Sequence, residues 1–205
     1  MLVVAAAVLI GLVGPLLLFN PWFVSLEQAR NGVPGRLATT QAEVDRVTGA
    51  MVCDLVFGCD DFSERIDPST PLLTDAERSH MRDVAHLVRA LWVALLIAIG
   101  LVIAALVPLR REPRRAGIVM LRTSAGVGIA AIVVGGFFAV DFDQAFLAFH
   151  ELFFPQGNFL FGPDSNLLRL FPEGFWFEAA LVAGLLIVLS CVVVTLVGWR
   201  LARRV

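Results

Sequence analysis

The chain reads as an all-α membrane protein, with four transmembrane helices carrying an extracytoplasmic cap formed by two outward loops. Three observations predict this. Apolar residues make up 58 % of the 205-residue chain. Four apolar runs approach or reach the ~20 residues that a helix needs to cross a bilayer. Half of the 16 basic residues, all of them arginine, crowd between the second and third runs and after the fourth.

The first run, about residues 2–19, has no basic n-region, and no small-residue cleavage site follows in FNPWFV, so it reads as a retained span and not a signal peptide. The next segment, 20–89, begins loop-like around Pro34 and Gly35 and turns helical around Ala38 to Val56. It holds Cys53 and Cys59 in CDLVFGC, a pair that an oxidising compartment would permit to join. Thr74-Asp75-Ala76-Glu77 is a capping box, in which hydroxyl and carboxylate satisfy free amides at a helix start. The helix it opens carries Glu77, His80, Asp83 and His86, and is expected to run on into the second span, about 90–108.

Arg110, Arg111, Arg114, Arg115 and Arg122 fill or border the connection 109–122, which short-loop charge bias places in the cytoplasm. The third span, about 123–140, contains Gly126, Gly128, Gly135 and Gly136, residues small enough to let helices approach closely in lipid. Segment 141–178 is read as a second outward loop, dense in aromatic and carboxylate side chains. The fourth span, about 179–199, contains Cys191, read as a packing residue, and is followed by Arg200, Arg203 and Arg204, again cytoplasmic. Both termini therefore lie inside. Every acidic residue except Glu112 falls in the two outward segments. The net charge of -2 conceals two opposed surfaces and gives nucleic-acid binding no support. No repeat or second domain interrupts this single integral membrane domain.

The chain has no P-loop, no His-Glu-x-x-His pair and no Gly-x-Ser-x-Gly elbow. What remains is histidine and carboxylate on the outward side, where all three histidines fall. Imidazole, with an ordinary pKa of ~6.5, is suited to move protons near neutrality. For His86 a structural role is favoured.

ERSHMRDV, Glu77 to Val84, and FHELFFPQGNFLFGPDSNLLRLFPEGFW, Phe149 to Trp176, resemble the bacterial lipoprotein intramolecular transacylases, the Lit family of four-span membrane proteins. With Asp141 to Leu147 the resemblance covers about a quarter of the chain. His80 and His150 match the family's two histidines. The resemblance implies an acyltransferase of the bacterial plasma membrane that acts on diacylated lipoproteins, with membrane lipid as its other partner and neither cofactor nor metal. It would move the sn-2 acyl chain of the diacylglyceryl-cysteine to that cysteine's own α-amine, giving a lyso-form lipoprotein.

Within that reading, one of His80 and His150 is the general base for the amine, and the other donates a proton to the departing oxygen or stabilises the oxyanion. Asp83, three residues after His80 on one helical face, could orient the imidazole, or could be a solvated or ion-paired carboxylate. Glu151, Asp141, Asp143 and Asp164 are further supporting candidates. Arg169 could meet an anionic headgroup or pair with Glu173. The phenylalanines between Phe142 and Phe177 suit an interfacial cradle, a cap core or an acyl path. Two competing readings are a non-enzymatic membrane protein that binds lipid or a partner, and a metal-dependent hydrolase using both histidines and a carboxylate.

Overall fold

Among the described residues, five helices begin at a side-chain cap. The computed structural model describes residues 2–65 and 69–203, so Arg204 lies outside the described residues. Among these, nine helices follow one another: α1 (Leu2–Leu17), α2 (Pro21–Arg30), α3 (Val33–Arg36), α4 (Gln41–Phe57), α5 (Asp75–Leu109), α6 (Pro113–Val140), α7 (Phe142–Phe153), α8 (Asn166–Leu170) and α9 (Glu173–Ala202). No strand is present among the described residues, only an isolated antiparallel bridge between Arg65 and Pro71. Side-chain oxygens of Asn20, Thr40, Asp141 and Ser165 accept the free amides of Phe23, Glu43, Gln144 and Leu168. The Thr74 capping box forms as expected: Glu77 N donates to Thr74 Oγ1 at 3.3 Å, and Thr74 N donates to Glu77 Oε2 at 2.7 Å.

Helices α5, α6 and α9 are each long and apolar enough to cross a membrane, which with the fold class makes this an integral membrane protein. At 16 residues α1 extends about 24 Å, short of a hydrocarbon core of about 30 Å. It bends by 61° into α2, and together the two are long and apolar enough for one broken span, giving three or four spans in all.

Two segments read as loops are helical. Before Ala38 the chain forms α2 and α3, because Asn20 caps α2 and Pro21 occupies its first turn, where proline's missing N–H costs nothing. The segment from Asp141 contains α7, α8 and the start of α9, with Asp141 and Ser165 as caps.

The described residues form two compact units. One comprises α1, Leu91–Val140 and the chain from Leu181 onward. Large apolar side chains such as Ile97, Ile132, Leu185 and Val192 are exposed on it, as bilayer-facing residues would be. Cys191 is buried and unbonded, in keeping with a packing role. The glycines expected to bring helices together are not those that do so. A Cβ added at Gly126, Gly128, Gly135 or Gly136 would meet nothing within 4 Å. The close approach is between α6 and α9, where a Cβ on Gly117 would lie 2.5 Å from both Ala202 N and Gly198 O. Backbone cannot yield as a side-chain tip can, so Gly117→Ala is expected to cost about 1 to 3 kcal/mol. Thermal unfolding in detergent checks this, with Gly126→Ala as the near-neutral comparison. One hydroxyl pair, Ser124 Oγ and Thr195 Oγ1 at 2.8 Å, also bonds across α6 and α9.

The other unit comprises Leu18–Ala90 and Asp141–Ala180. Its core is built from Val33, Val44, Met51, Phe62, Leu73, Met81, Ala85, Leu167 and Leu170 among others. Buried Gln28 links three helices, donating to Leu170 O at 3.0 Å and accepting from Thr48 Oγ1 at 2.9 Å. The Cys53–Cys59 disulfide is formed. It closes a turn in which Gly58, at φ 73°, ends α4 in the left-handed conformation that glycine adopts without penalty. Buried Asp54 accepts from the amides of Asp60 and Phe62, and Arg89 donates to Asp54 O at 3.1 Å and Leu55 O at 3.4 Å.

Candidate active site

Two histidines 70 residues apart in the chain are brought together in the second unit. His80 projects from the polar first turns of α5, before the apolar stretch begins near Ala90, and is only 5 % exposed. His150 lies near the end of α7 and is half-buried. Their ring centroids are 5.9 Å apart, with the planes inclined by 27°.

Aromatic side chains enclose the pair. Phe154 and Phe161 meet His80 edge-on at 4.9 and 5.7 Å. Phe146, Phe159 and Phe154 stand 4.2, 5.1 and 5.7 Å from His150. Trp176 extends the cluster through Phe146 at 6.0 Å. The cradle expected of the phenylalanines is thus assembled directly against the imidazoles.

The surroundings set the chemistry of each ring. His150 Nδ1 lies 2.8 Å from Phe146 O. A carbonyl can only accept, so Nδ1 carries the proton and the neutral ring keeps its Nε2 lone pair available. Burial lowers the His150 pKa below its ordinary value, opposed by that carbonyl. Burial also lowers His80, assisted by the charge His150 would carry and opposed by Asn158 and Asp83. Both rings are therefore neutral near pH 7 and able to accept a proton. Two such groups side by side can take a proton from one atom of a substrate and return it to another.

The remaining candidates are more dispersed. Among the described residues the Asp83 carboxylate pairs with no arginine; it accepts from Gln156 Nε2 at 2.9 Å and Asn158 Nδ2 at 2.7 Å, bonds spanning more than 70 residues. Asp141 caps α7, accepting from Gln144 N at 3.1 Å. Asp143 and Glu151 are exposed on α7, and His86 is exposed on α5. Asp164 is fully exposed and pairs with Arg169 at 3.3 Å, so the arginine's partner is Asp164 in place of the expected Glu173. Among the described residues no group of three or more His, Cys, Asp or Glu side chains is placed to hold a metal ion.

Two residues near the site carry no sequence signal of their role. Asn158 has no local pattern to mark it. Glu77 reads as a cap residue, yet its buried carboxylate also accepts from Ser165 Oγ and from Leu167 N at 3.1 Å, fixing α8 against α5.

A separate polar cluster sets Arg30 of α2 between two carboxylates, Glu27 at 3.5 Å and Glu178 at 3.6 Å.

The model of the family described as lipoprotein intramolecular transacylase Lit matches residues 1–176. A search of curated proteins returns no match. Among solved structures, the chain is similar to the membrane-integral lipoprotein intramolecular transacylase Lit of Bacillus cereus. Identity is 19 %, the TM-score is 0.85, and the match covers 98 % of this chain and 92 % of that one. Two variants of the same protein, each with one histidine replaced, match at 18 % identity with TM-scores of 0.75 and 0.79, covering 98 % of this chain and 90 % of theirs.

Proposed function

Because this chain belongs to the lipoprotein intramolecular transacylase family, we propose that its His80–His150 pair transfers the sn-2 acyl chain of a diacylglyceryl-cysteine to that cysteine's α-amine. The protein is a membrane acyltransferase that acts on lipoproteins. The observation that carries the assignment of the site is the juxtaposition of two imidazoles, 5.9 Å between centroids, inside an aromatic cradle.

The α-amine nitrogen attacks the sn-2 ester carbonyl, forming a C–N bond. An imidazole takes the amine proton, and the bond from carbonyl carbon to glyceryl oxygen then breaks as that oxygen receives a proton. An ester becomes an amide, and a lyso-lipoprotein with a free sn-2 hydroxyl remains. No water or nucleotide enters the balance. Donor and acceptor share one molecule, so holding them together removes an entropic cost worth about 7 to 11 kcal/mol in favourable cases. An α-amine with a pKa near 8 is within reach of a neutral imidazole base. The aromatic cluster from Phe142 to Trp176 provides apolar surface for acyl chains and membrane lipid.

The reaction belongs on the extracytoplasmic face, with both termini in the cytoplasm. Arginine-rich 109–122 and the basic C-terminus support that orientation. The disulfide in the unit that carries both histidines supports it too, since such bonds persist in oxidising compartments.

Tandem mass spectrometry of a lipoprotein's N-terminal peptide, from cells lacking other N-acylating enzymes, tests the proposal. Transfer leaves the parent mass unchanged, so fragments decide. An N-acylated cysteine with a monoacylglyceryl thioether, present only when this protein is expressed, is expected. A free amine with an intact diacylglyceryl group, despite abundant folded protein, would overturn it.

A further inference from the structure

We propose that Asn158 is a positioning residue for His80: held by Asp83, its side-chain carbonyl accepts the His80 Nδ1 proton and leaves Nε2 as the atom that works on substrate. The inference rests on the reading of His80 given above. Asn158 Nδ2 donates to Asp83 Oδ2 at 2.7 Å, which fixes which end of the amide is donor and turns Oδ1 the other way. Among the described residues, Asn158 Oδ1 and His80 Nδ1 are both buried and neither meets a hydrogen-bond partner. A buried donor and a buried acceptor left without partners are each costly, and the two side chains are near enough for Asn158 to favour protonated His80, so a small rotation that joins the two atoms satisfies both. The bond completes an Asp83–Asn158–His80 chain, the arrangement in which a third group orients a catalytic base through its second ring nitrogen. Asp83 therefore acts on the imidazole through an amide 75 residues further along the chain.

The charged and titratable groups that act on His80 are His150 from α7 and Asp83 from its own helix. Asn158→Ala removes an interaction that favours the imidazolium, so the acid limb of the pH–rate profile is expected to move to lower pH. kcat should fall about tenfold to a hundredfold with KM little changed. Asn158→Asp keeps an acceptor but cannot donate to Asp83 unless the two carboxylates share a proton, so its rate is expected to fall as in Asn158→Ala. Gln156→Ala loses the other bond to Asp83 without touching His80, and should stay within about twofold of the parent rate.

The experiment measures pH–rate profiles of these purified variants in nanodiscs with a diacylated lipopeptide, alongside nitrogen NMR of histidine-labelled protein. Movement of the Asn158→Ala acid limb to lower pH, a fall in rate in both Asn158 variants, and His80 carrying its proton on Nδ1 in the parent are the expected results. An unmoved Asn158→Ala limb, a loss in Gln156→Ala equal to that in Asn158→Ala, or an Nε2-protonated His80 would overturn the proposal. The NMR reading of the parent decides even where Asn158→Ala fails to fold. If His80→Ala keeps full activity, the reading of His80 itself fails. If His80→Ala is inactive while Asn158→Ala and Asn158→Asp match the parent, only the positioning role fails.

Discussion

His150→Ala is expected to lower the rate of N-acyl product formation by about a hundredfold to ten-thousandfold, the range over which a positioned acid or base contributes. The change should leave far-UV circular dichroism intact, because His150 is half-buried and its side-chain hydrogen bond runs to Phe146 of its own helix. His80→Ala should match it in rate and add some loss of stability, since the ring it removes is 5 % exposed and packed against Phe154 and Phe161. Restoring bulk without a titrating nitrogen separates these effects: His80→Phe should recover stability and stay inactive. The pH dependence has a defined sign. Burial lowers both histidines, so the base form persists below the usual imidazole range, and the rate should fall only as pH drops beneath it. The initial rate of lyso-product formation, measured against pH, checks both expectations. Activity in either alanine variant at the parent level would remove that histidine from the reaction.

Glu77→Ala is expected to cost about 2 to 4 kcal/mol of stability, because one carboxylate serves two elements and its loss strands buried donors. Oε2 accepts from Thr74 N at 2.7 Å and Thr74 Oγ1 at 2.8 Å, closing the start of α5. Oε1 accepts from Ser165 Oγ and from buried Leu167 N at 3.1 Å, holding the first turn of α8. Burial alone would raise the Glu77 pKa, but hydrogen bonds from Ser165, Thr74 and Leu167 outweigh it and leave it below the ordinary value. A carboxylate whose pKa is depressed on folding stabilises above its unfolded pKa, and that stability is lost as pH falls through the folded value. The parent should therefore weaken in acid, and Glu77→Ala should weaken far less over the same range. Thermal unfolding in detergent at pH 7 and near pH 4 provides the comparison. Equal melting of the two proteins at pH 7 would contradict this account.

Much of the architecture is legible because it depends on local pattern. The apolar stretches now in α5, α6 and α9 are visible in composition, and the capping box places the start of α5 at Asp75. The two histidines were legible through the segments around them. Less was legible wherever a short helix sits in aromatic or polar sequence. Helices α7 and α8, of 12 and 5 residues, lie in what reads as a loop, although Asp141 and Ser165 mark both starts. The bend after Leu17 follows from Asn20 and Pro21, which begin a new helix where a loop is expected. Bonds of long reach could not be read at all. Glu77 to Ser165 spans 88 residues and Asp83 to Asn158 spans 75, and nothing in either neighbourhood announces its partner. The glycines show the same limit: composition marked four in α6, whereas packing uses Gly117 and Gly198.

The most direct test uses purified protein in nanodiscs and a synthetic lipopeptide whose sn-1 and sn-2 acyl chains differ in mass, mixed with an isotopically labelled copy. Fragment spectra of the product report which chain reaches the amine and whether it came from the same molecule. The account predicts an amine carrying only its own molecule's sn-2 chain, formed by the parent protein and lost in His80→Ala and His150→Ala. An amine bearing the sn-1 chain, chains exchanged between labelled and unlabelled molecules, or undiminished product from both variants would contradict it.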